Sequence, residues 1–319
     1  MVNSRVFGNV KRLKVIRVFD PWGSPLCTCP PKYSLHPYTG CSHYCLYCYA
    51  TAYLGRKPSI PKKDFWRRLR HDLEFINHDL VIELSTSSDP YPPLESWTLL
   101  TRGALEILVS RRARILITTK SDLVVRDKDL LLETPSAVMI TITTLDDSLA
   151  RKLEPGAPPP SQRIRALEIL SSYGVPVGAR IDPIIPGLND DPDMLMELVD
   201  RVVEAGAKHI VSSTYKARPD NLKRMTEAFP ELESLWRKLY LENSVPIHGY
   251  RYLRDSLRRK LLEPVVSRAR EHGVTYAVCR EGFRDRLFFN SPSCDGSHLI
   301  RYSRSWVHQG SRSNSYRLL

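Results

Sequence analysis

Short apolar runs alternate with amphipathic segments through the middle of this chain, and that alternation limits the folds available to it. Apolar runs of strand length lie at residues 80–84, 114–118, 137–143, 175–181 and 209–213. Segments with helical periodicity separate them at 97–110, 126–133, 162–173 and 192–205. This pattern predicts repeated βα units and therefore a parallel sheet. Together with the strand that leads into Gly40, it predicts six parallel strands in an α/β fold, a partial (β/α)6 TIM-like barrel.

Further elements are expected on both sides of this barrel. Two long helices near 221–243 and 253–272 are predicted to follow it, and residues 274–279 form one more predicted strand. We therefore divide the chain into an N-terminal extension (1–32), the barrel (33–215) and a helical, cysteine-containing C-terminal extension (216–319).

Polar and charged residues follow the predicted strands where each strand ends. In a βα barrel the loops at the carboxyl ends of the strands converge on one mouth, so these side chains are expected to meet. Three of them, Lys120, Arg180 and Asp182, are charges at strand ends inside an apolar barrel and must have partners. We predict that they are catalytic, and pairing with groups on neighbouring strands is the alternative.

Three cysteines with CxxxCxxC spacing, Cys41, Cys45 and Cys48, lie on one short loop after Gly40. Soft thiolate ligands suit iron–sulfur clusters, and three of them can hold three irons of a 4Fe–4S cube while the fourth iron stays open. The alternative is a structural zinc site, which would need a fourth ligand such as His43 or Cys294.

The cysteine loop resembles the signature of the radical S-adenosylmethionine superfamily, in which an aromatic residue, here Tyr47, precedes the third cysteine. The string 37–50 is similar to the branch that contains spore photoproduct lyase and DNA repair photolyase-like proteins. The similarity continues, in the order of that branch, through the motifs at 85–95, 119–121, 141–146, 153–155 and 183–190. It covers roughly residues 33–215 and independently implies the same partial barrel.

The resemblance implies a cofactor set and an activity. A 4Fe–4S cluster on the three cysteines would bind S-adenosylmethionine through its amino and carboxylate groups. An electron from an external donor would then break a sulfur–carbon bond of S-adenosylmethionine, and the resulting 5'-deoxyadenosyl radical would take hydrogen from the substrate. The resemblance also implies cofactor contacts, namely Tyr47 beside the adenine, Ser85, Thr86 and Ser87 near the amino end, and Thr143 or Thr144 at the ribose. For these Ser and Thr residues, ordinary turn capping is the alternative.

One position departs from the pattern of spore photoproduct lyase. That enzyme uses a cysteine just after its second strand as hydrogen donor, and the matching position here holds Thr86. A hydroxyl does not readily give up a hydrogen atom, so reversal of a photoproduct by that route is not expected.

Four cysteines remain beyond the first loop: Cys27, Cys29, Cys279 and Cys294. Four thiols are what a second 4Fe–4S cluster requires. A zinc site, disulfides and inert buried thiols are the alternatives. Cys27 and Cys29 precede the first barrel strand, and that order could place them at the face opposite the first cluster.

The charge of the chain favours a polyanionic partner. Its net charge is +12 and its pI is about 9.4, and basic residues concentrate at 11–17, 62–70 and 251–260. Together with Phe65, Trp66, Tyr250 and Tyr252 as stacking candidates, they predict a nucleic-acid substrate, with RNA base modification or DNA repair as the reaction. Solvated helix faces are the simpler explanation of the charges. The alternative functions are radical modification of a protein or small molecule, and a non-enzymatic iron–sulfur protein that binds nucleic acid.

Composition bears on the cellular setting. We find no run of eighteen apolar residues and no signal peptide, so we expect a cytoplasmic protein that has no membrane partner. The odd number of cysteines, seven, argues against a disulfide framework. Glutamine occurs only at Gln162 and Gln309 while Arg and Glu are plentiful, a bias that indicates a thermophile. The oligomeric state is left open.

Overall fold

A computed structural model describes residues 4–19, 24–84 and 86–300 of the chain. The strands of these residues are β1 (Ile16–Val18), β2 (Lys32–Leu35), β3 (Tyr38–Thr39), β4 (Ile60–Pro61), β5 (Val81–Leu84), β6 (Ile115–Thr119), β7 (Ser136–Thr141), β8 (Val177–Ile184), β9 (His209–Thr214), β10 (Val245–Ile247), β11 (Tyr250–Tyr252) and β12 (Thr275–Val278). The α-helices are α1 (Ser4–Phe7), α2 (Thr51–Leu54), α3 (Phe65–Asp72), α4 (Glu95–Thr98), α5 (Leu100–Ser110), α6 (Lys128–Leu132), α7 (Asp147–Leu153), α8 (Pro160–Ser172), α9 (Pro192–Glu204), α10 (Pro219–Ala228), α11 (Glu233–Trp236) and α12 (Asp255–Glu271).

The central sheet has the strand order β1-β2-β5-β6-β7-β8-β9-β12. Each neighbouring pair from β2 to β12 is parallel, and β1 is antiparallel to β2 at one edge. The predicted α/β fold with a mostly parallel sheet is confirmed, and it is consistent with a partial TIM-like barrel. Strand β12 is the late strand predicted at 274–279, and it extends the sheet beyond the six strands that were expected.

The first barrel strand differs from the prediction. It ends at Leu35, whereas the sequence indicated a strand that continues to Gly40. Pro37 has no N–H to donate to a sheet ladder, which interrupts the strand. Tyr38–Thr39 instead pairs with Ile60–Pro61 in a small separate sheet, and the cysteine loop starts from there.

Two predicted helices are interrupted in the structure. The segment 97–110 divides at Leu99, whose φ of 51° separates α4 from α5. The segment 221–243 breaks near Pro230, because proline cannot donate to a continuing helix. A 3₁₀ turn, the short helix α11 and a π-helical turn (Arg237–Glu242) follow it.

The end of the described chain packs against the concave face of the sheet. Ile300 belongs to a separate apolar cluster with Leu116, Met139 and Val211, which come from β6, β7 and β9. Gly296 approaches the same wall so closely that a Cβ there would lie 2.4 Å from the Sδ atom of Met139. One end of the barrel is therefore filled by the segment that ends at residue 300.

The C-terminal part of the chain thus contributes both to the sheet, through β12, and to the barrel interior. The division of the chain at 32 and 215 stays a prediction. Among the described residues, no helix has the length and apolar composition needed to cross a bilayer.

Candidate active site

A cavity of about 410 Å³ opens at the carboxyl ends of the barrel strands. Cys41, Cys45 and Cys48 all line it, and none of the three is in a disulfide. The three predicted catalytic residues line the same cavity: Lys120, Arg180 and Asp182. The loop geometry expected from a βα barrel therefore brings these six side chains together.

The cysteine loop is held from two sides. Gly40 has a φ of 78°, and a Cβ there would lie 2.2 Å from the carbonyl oxygen of Pro58, so glycine is required at the start of the loop. The backbone N–H of Ser42 donates to Oγ of Ser59 at 3.0 Å, and the N–H of Ser59 donates to Oγ of Ser42 at 2.9 Å. On the other side, a Cβ on Gly156 would lie 2.0 Å from the carbonyl oxygen of Ser42.

Of the three cysteines on this loop, Cys45 is buried, and Cys41 and Cys48 are half-buried. Burial raises the pKa of Cys41 to about 12, and the nearby Asp89 carboxylate adds to the effect. Burial also raises the pKa of Cys45 well above its usual value, although the ammonium of Lys120 opposes the shift. Metal ions bind cysteine as the thiolate. Binding of a metal centre by these cysteines would therefore release the thiol protons.

Tyr47 is fixed by a buried carboxylate, that of Glu154. The Tyr47 hydroxyl donates to Glu154 Oε1, and Oγ of Thr143 donates to the same oxygen at 3.0 Å. Arg163 lies 2.5 Å from Oε2, and Nζ of Lys120 lies 4.0 Å from Oε1. Burial raises the pKa of Glu154, but Arg163 and Lys120 outweigh it and lower the pKa below the usual value. The Tyr47 ring is therefore held against the cavity, with the Lys120 ammonium 5.6 Å from its centre.

Arg180 and Asp182 pair with each other at 2.6 Å. Asp182 also accepts a hydrogen bond from Oγ of Ser213 at 2.5 Å. Burial raises the pKa of Asp182, but the charges of Arg180 and Lys216 outweigh it and keep the pKa below its usual value. The two residues are thus an ion pair exposed to the cavity, and their catalytic role stays a prediction.

Only some of the predicted cofactor contacts line the cavity. Thr86 and Ser87 line the cavity, and each Oγ lies within hydrogen-bond distance of Nε2 of His36, at 3.0 Å and 3.3 Å. Ser85 lies outside the described residues. Thr143 and Thr144 do not line the cavity: Thr143 supports Glu154, and Oγ of Thr144 accepts from the N–H of Asp146 at 3.1 Å. Contact with a ribose stays a prediction for both.

Asp89 joins the cysteine loop to the third barrel strand. Its carboxylate accepts from Oγ of Thr119 at 2.7 Å and from the N–H of Lys120 at 2.8 Å, and it lies 3.3 Å from Nδ1 of His43. Burial raises the pKa of Asp89, but pairing with His43 and these hydrogen bonds outweigh it and lower the pKa to about 2. Within the described residues, Nε2 of His43 is buried without a hydrogen-bond partner, and His43 lines the cavity.

Sequence reasoning missed several residues of the cavity. His36 and Lys32 lie on or just after β2, Glu83 lies on β5, and Lys216 follows β9. Lys32 forms buried ion pairs with Glu83 at 2.5 Å and with Asp295 at 2.6 Å. The signal that could have found Lys32 and His36 is the two-residue period of a strand, since positions 32 and 34 of β2 and position 36 just after it follow that period.

The remaining cysteines line this same cavity: Cys27, Cys29, Cys279 and Cys294. They are not at the opposite face of the barrel. All four are free, and Sγ of Cys29 lies 3.3 Å from Sγ of Cys294.

The stacking candidates are mostly inaccessible. The prediction of base stacking is wrong for three of them, because their side chains are at most 2% exposed: Phe65, Tyr250 and Tyr252. Trp66 is 40% exposed. Among the basic residues, Arg17 is exposed and lines the cavity. Lys62 is close enough to Arg17 and His36 to interact with both electrostatically.

The sequence profile described as "Radical SAM superfamily" matches residues 35–202. An uncharacterised protein of Methanocaldococcus jannaschii is 37% identical over 194 residues, which cover 59% of this chain and 72% of that protein. A radical SAM Nalpha-GlyT isomerase of Pseudomonas phage M6 is 25% identical over 273 residues, which cover 81% of this chain and 55% of that protein. A structure of a spore photoproduct lyase variant with AdoMet and dinucleoside spore photoproduct superposes with a TM-score of 0.60 at 17% identity, over 81% of this chain and 76% of that one.

Proposed function

Because this chain belongs to the radical SAM superfamily, and is therefore an enzyme, we propose that it holds a 4Fe–4S cluster on Cys41, Cys45 and Cys48, binds S-adenosylmethionine and modifies a nucleic acid. The observation that carries this proposal is that three free thiols line one cavity together with the fixed ring of Tyr47. Family membership excludes the non-enzymatic alternative. RNA base modification and DNA repair are the two candidate reactions.

The residues present fit the cofactors. Three soft sulfur donors on a braced loop suit three irons of a cube, and the polar side chains around them suit the amino and carboxylate groups of S-adenosylmethionine. When bound, the cluster and an external electron donor supply the electron that cleaves S-adenosylmethionine to a carbon radical. Orientation and the exclusion of water are the contributions of the protein.

The chain's own residues have distinct parts in this proposal. Glu154 fixes the Tyr47 ring, which can then pack against an adenine. Burial, and to a lesser extent the charge of Lys62, lowers the pKa of His36 to about 3, so at neutral pH the imidazole is uncharged and can orient Thr86 and Ser87. The paired Arg180 and Asp182 offer hydrogen-bonding groups to a substrate inside the cavity.

A nucleic-acid substrate is supported by cations beside the cavity. Arg17 lines it, and burial together with repulsion by Arg17 lowers the pKa of Lys62 to about 8, which leaves this lysine charged at neutral pH. Arg56 and Lys57 are exposed just after α2, the short helix that follows the cysteine loop. Phosphates are bound mainly through such side chains. A structural relative, spore photoproduct lyase, has been determined with a dinucleoside.

Cleavage of the cofactor tests the enzymatic part. Anaerobically reconstituted protein, given dithionite and S-adenosylmethionine, should release 5'-deoxyadenosine, which chromatography quantifies. Cys45→Ala should release none, and wild-type protein that is not reconstituted with iron is the matched blank. Absence of product from the reconstituted wild type would contradict the proposal.

Salt dependence tests the substrate class. The logarithm of the binding constant for a labelled DNA or RNA oligonucleotide should fall linearly with the logarithm of the salt concentration. The double variant Arg17→Ala, Lys62→Ala should reduce the slope of this line by about 2. Lys208→Ala is the control, because Lys208 is exposed at the opposite, amino end of β9. Equal slopes for the double variant and the control would argue for a protein or small-molecule substrate.

A further inference from the structure

We propose that Cys27, Cys29, Cys279 and Cys294 hold a second iron–sulfur cluster inside the barrel, in the same cavity as the first cysteine loop. This inference concerns a separate ligand set, so it does not depend on the nucleic-acid substrate. Its support is the arrangement of the three chain segments that carry these cysteines.

The cysteines come from opposite edges of the sheet. Cys29 lies three residues before Lys32, the first residue of β2 near one edge, and Cys279 directly follows β12 at the other edge. Curvature of the sheet brings both ends to one cavity, where Cys27 also lies. About 250 residues of chain separate the two pairs, so local sequence does not account for their meeting.

Cys294 is placed by the segment that enters the barrel. The neighbouring residue, Asp295, lies 2.6 Å from the buried ammonium of Lys32. The carbonyl oxygen of Cys294 lies 3.3 Å from Nε2 of His209, whose ring is buried on β9. These contacts tie the residue to both edges of the sheet and set its thiol 3.3 Å from that of Cys29.

The first segment is fixed as well. The N–H of Cys27 donates to the carbonyl oxygen of Ser24 at 3.1 Å, which closes a turn. Leu26 packs against Gly282, where an added Cβ would lie 2.8 Å from the leucine Cδ2. The loop with Cys27 and Cys29 is therefore held against the chain that follows Cys279.

A single zinc ion and disulfides are the alternatives to a cluster at these four cysteines. Across residues 4–19, 24–84 and 86–300, no group of three or more His, Cys, Asp or Glu side chains is arranged to hold one metal ion. The same holds for the cysteines of the first loop, where the family binds a cluster, so this result does not separate a cluster from a single ion, and the metal analysis below does. A Cys29–Cys294 disulfide would need a bond of about 2.05 Å and would leave two thiols unused.

The surroundings suit a buried cluster. Cys294 is 1% exposed, and Cys279 interacts electrostatically with the cations Arg180 and Lys216 as well as with Asp182. Thiolate ligands in a site shielded from water are the usual setting of iron–sulfur clusters, and nearby charges tune them. Arg180 and Asp182 would then lie beside this second centre.

Reciprocal variants test the inference. The triple variant Cys41→Ala, Cys45→Ala, Cys48→Ala should still retain iron and sulfide after reconstitution, at about two to four atoms of each per chain. It should also give an electron paramagnetic resonance signal on reduction that S-adenosylmethionine does not change. The double variant Cys279→Ser, Cys294→Ser should lose this signal and keep the one that responds to S-adenosylmethionine. Thr28→Ala, between Cys27 and Cys29, is the control and should keep the full iron content.

Three results would overturn the inference. They are a triple variant with no iron, a second site that contains zinc instead, or a native protein whose mass and thiol count show two disulfides. Failure of the proposed function is a different result, since wild-type protein could fail to cleave S-adenosylmethionine while the triple variant still holds iron. Conversely, a triple variant without iron would leave cofactor cleavage by the wild type untouched.

Discussion

Single residues in this cavity were partly predictable. Lys120, Arg180 and Asp182 were found because each is a charge at the end of an apolar run, and all three line the cavity. Glu154 contacts Tyr47, Arg163 and Lys120. It follows a helix and not a strand, so a search for charged residues at strand ends does not find it. Its importance comes from Arg163, a buried partner that is distant from any motif.

The buried Glu154–Arg163 pair yields the first prediction. Glu154→Gln leaves the Arg163 guanidinium, 1% exposed, without a countercharge, and should destabilise the protein by about 3–5 kcal/mol. Urea unfolding measures the change. The control is Glu168→Gln, which removes an exposed partner of Arg165 and should cost under about 1 kcal/mol. Equal effects of the two substitutions would mean that Glu154 is not held as a buried ion pair.

His36 predicts a pH dependence of stability. Burial, followed by the charge of Lys62, lowers its pKa from 6.5 to about 3 in the folded state. Between these values the unfolded chain binds the proton and the folded chain does not, so stability falls as pH falls below 6.5. From pH 7 to pH 5 the loss should be about 2 kcal/mol larger in wild type than in His36→Gln. Urea titrations at both pH values measure it, with His78→Gln as the exposed control. Identical pH dependence in all three proteins would contradict the assignment.

At the scale of elements, turn and cap chemistry was the more reliable guide. The sequence Asn189-Asp190-Asp191-Pro192 is typical of an N-cap followed by an early proline. Asp191 does cap α9, with Oδ1 accepting from two backbone N–H groups at 3.0 Å. The predicted end of the first barrel strand was wrong. An apolar run does not reveal where the hydrogen bonding of a chain changes from one sheet to another. Tyr38–Thr39 looks like a continuation of β2 in sequence but pairs with β4.

The cysteine loop depends on its first residue, which gives a prediction at this scale. Gly40→Ala places a Cβ 2.2 Å from the carbonyl oxygen of Pro58 in addition to the strain of a positive φ. The loop should shift, and the iron bound by the first cysteine set should fall after reconstitution, as measured by iron analysis. Gly174→Ala is the matched control, since Gly174 has a φ of +90° and no atom within 4 Å of its added Cβ. Full iron content in Gly40→Ala would show that the tight approach to Pro58 is not needed.

At the scale of the whole molecule, the sequence predicted the partial barrel but not which residues from the two ends of the sheet line one cavity. Five of the barrel strands could be read from apolar runs, because each run is local. The meeting of Cys29 with Cys294 could not, because it depends on a sheet that curves until its two edges face one cavity. The order of Cys27 and Cys29 before β2 even suggested the opposite face. The filling of the barrel by residues near 300 likewise has no local signature.

That filling gives the last prediction. Ile300 is 5% exposed and packs with Leu116, Met139 and Val211 inside the sheet. Ile300→Ala should therefore destabilise the protein by about 2–5 kcal/mol, because the surrounding strands cannot collapse into the space left behind. Leu287→Ala, at a residue 58% exposed, should stay within about 0.5 kcal/mol of wild type. Thermal unfolding measures both. If Ile300→Ala were as stable as the control, the chain end would not be part of the barrel core, and the position of Cys294, six residues earlier, would lose its anchor.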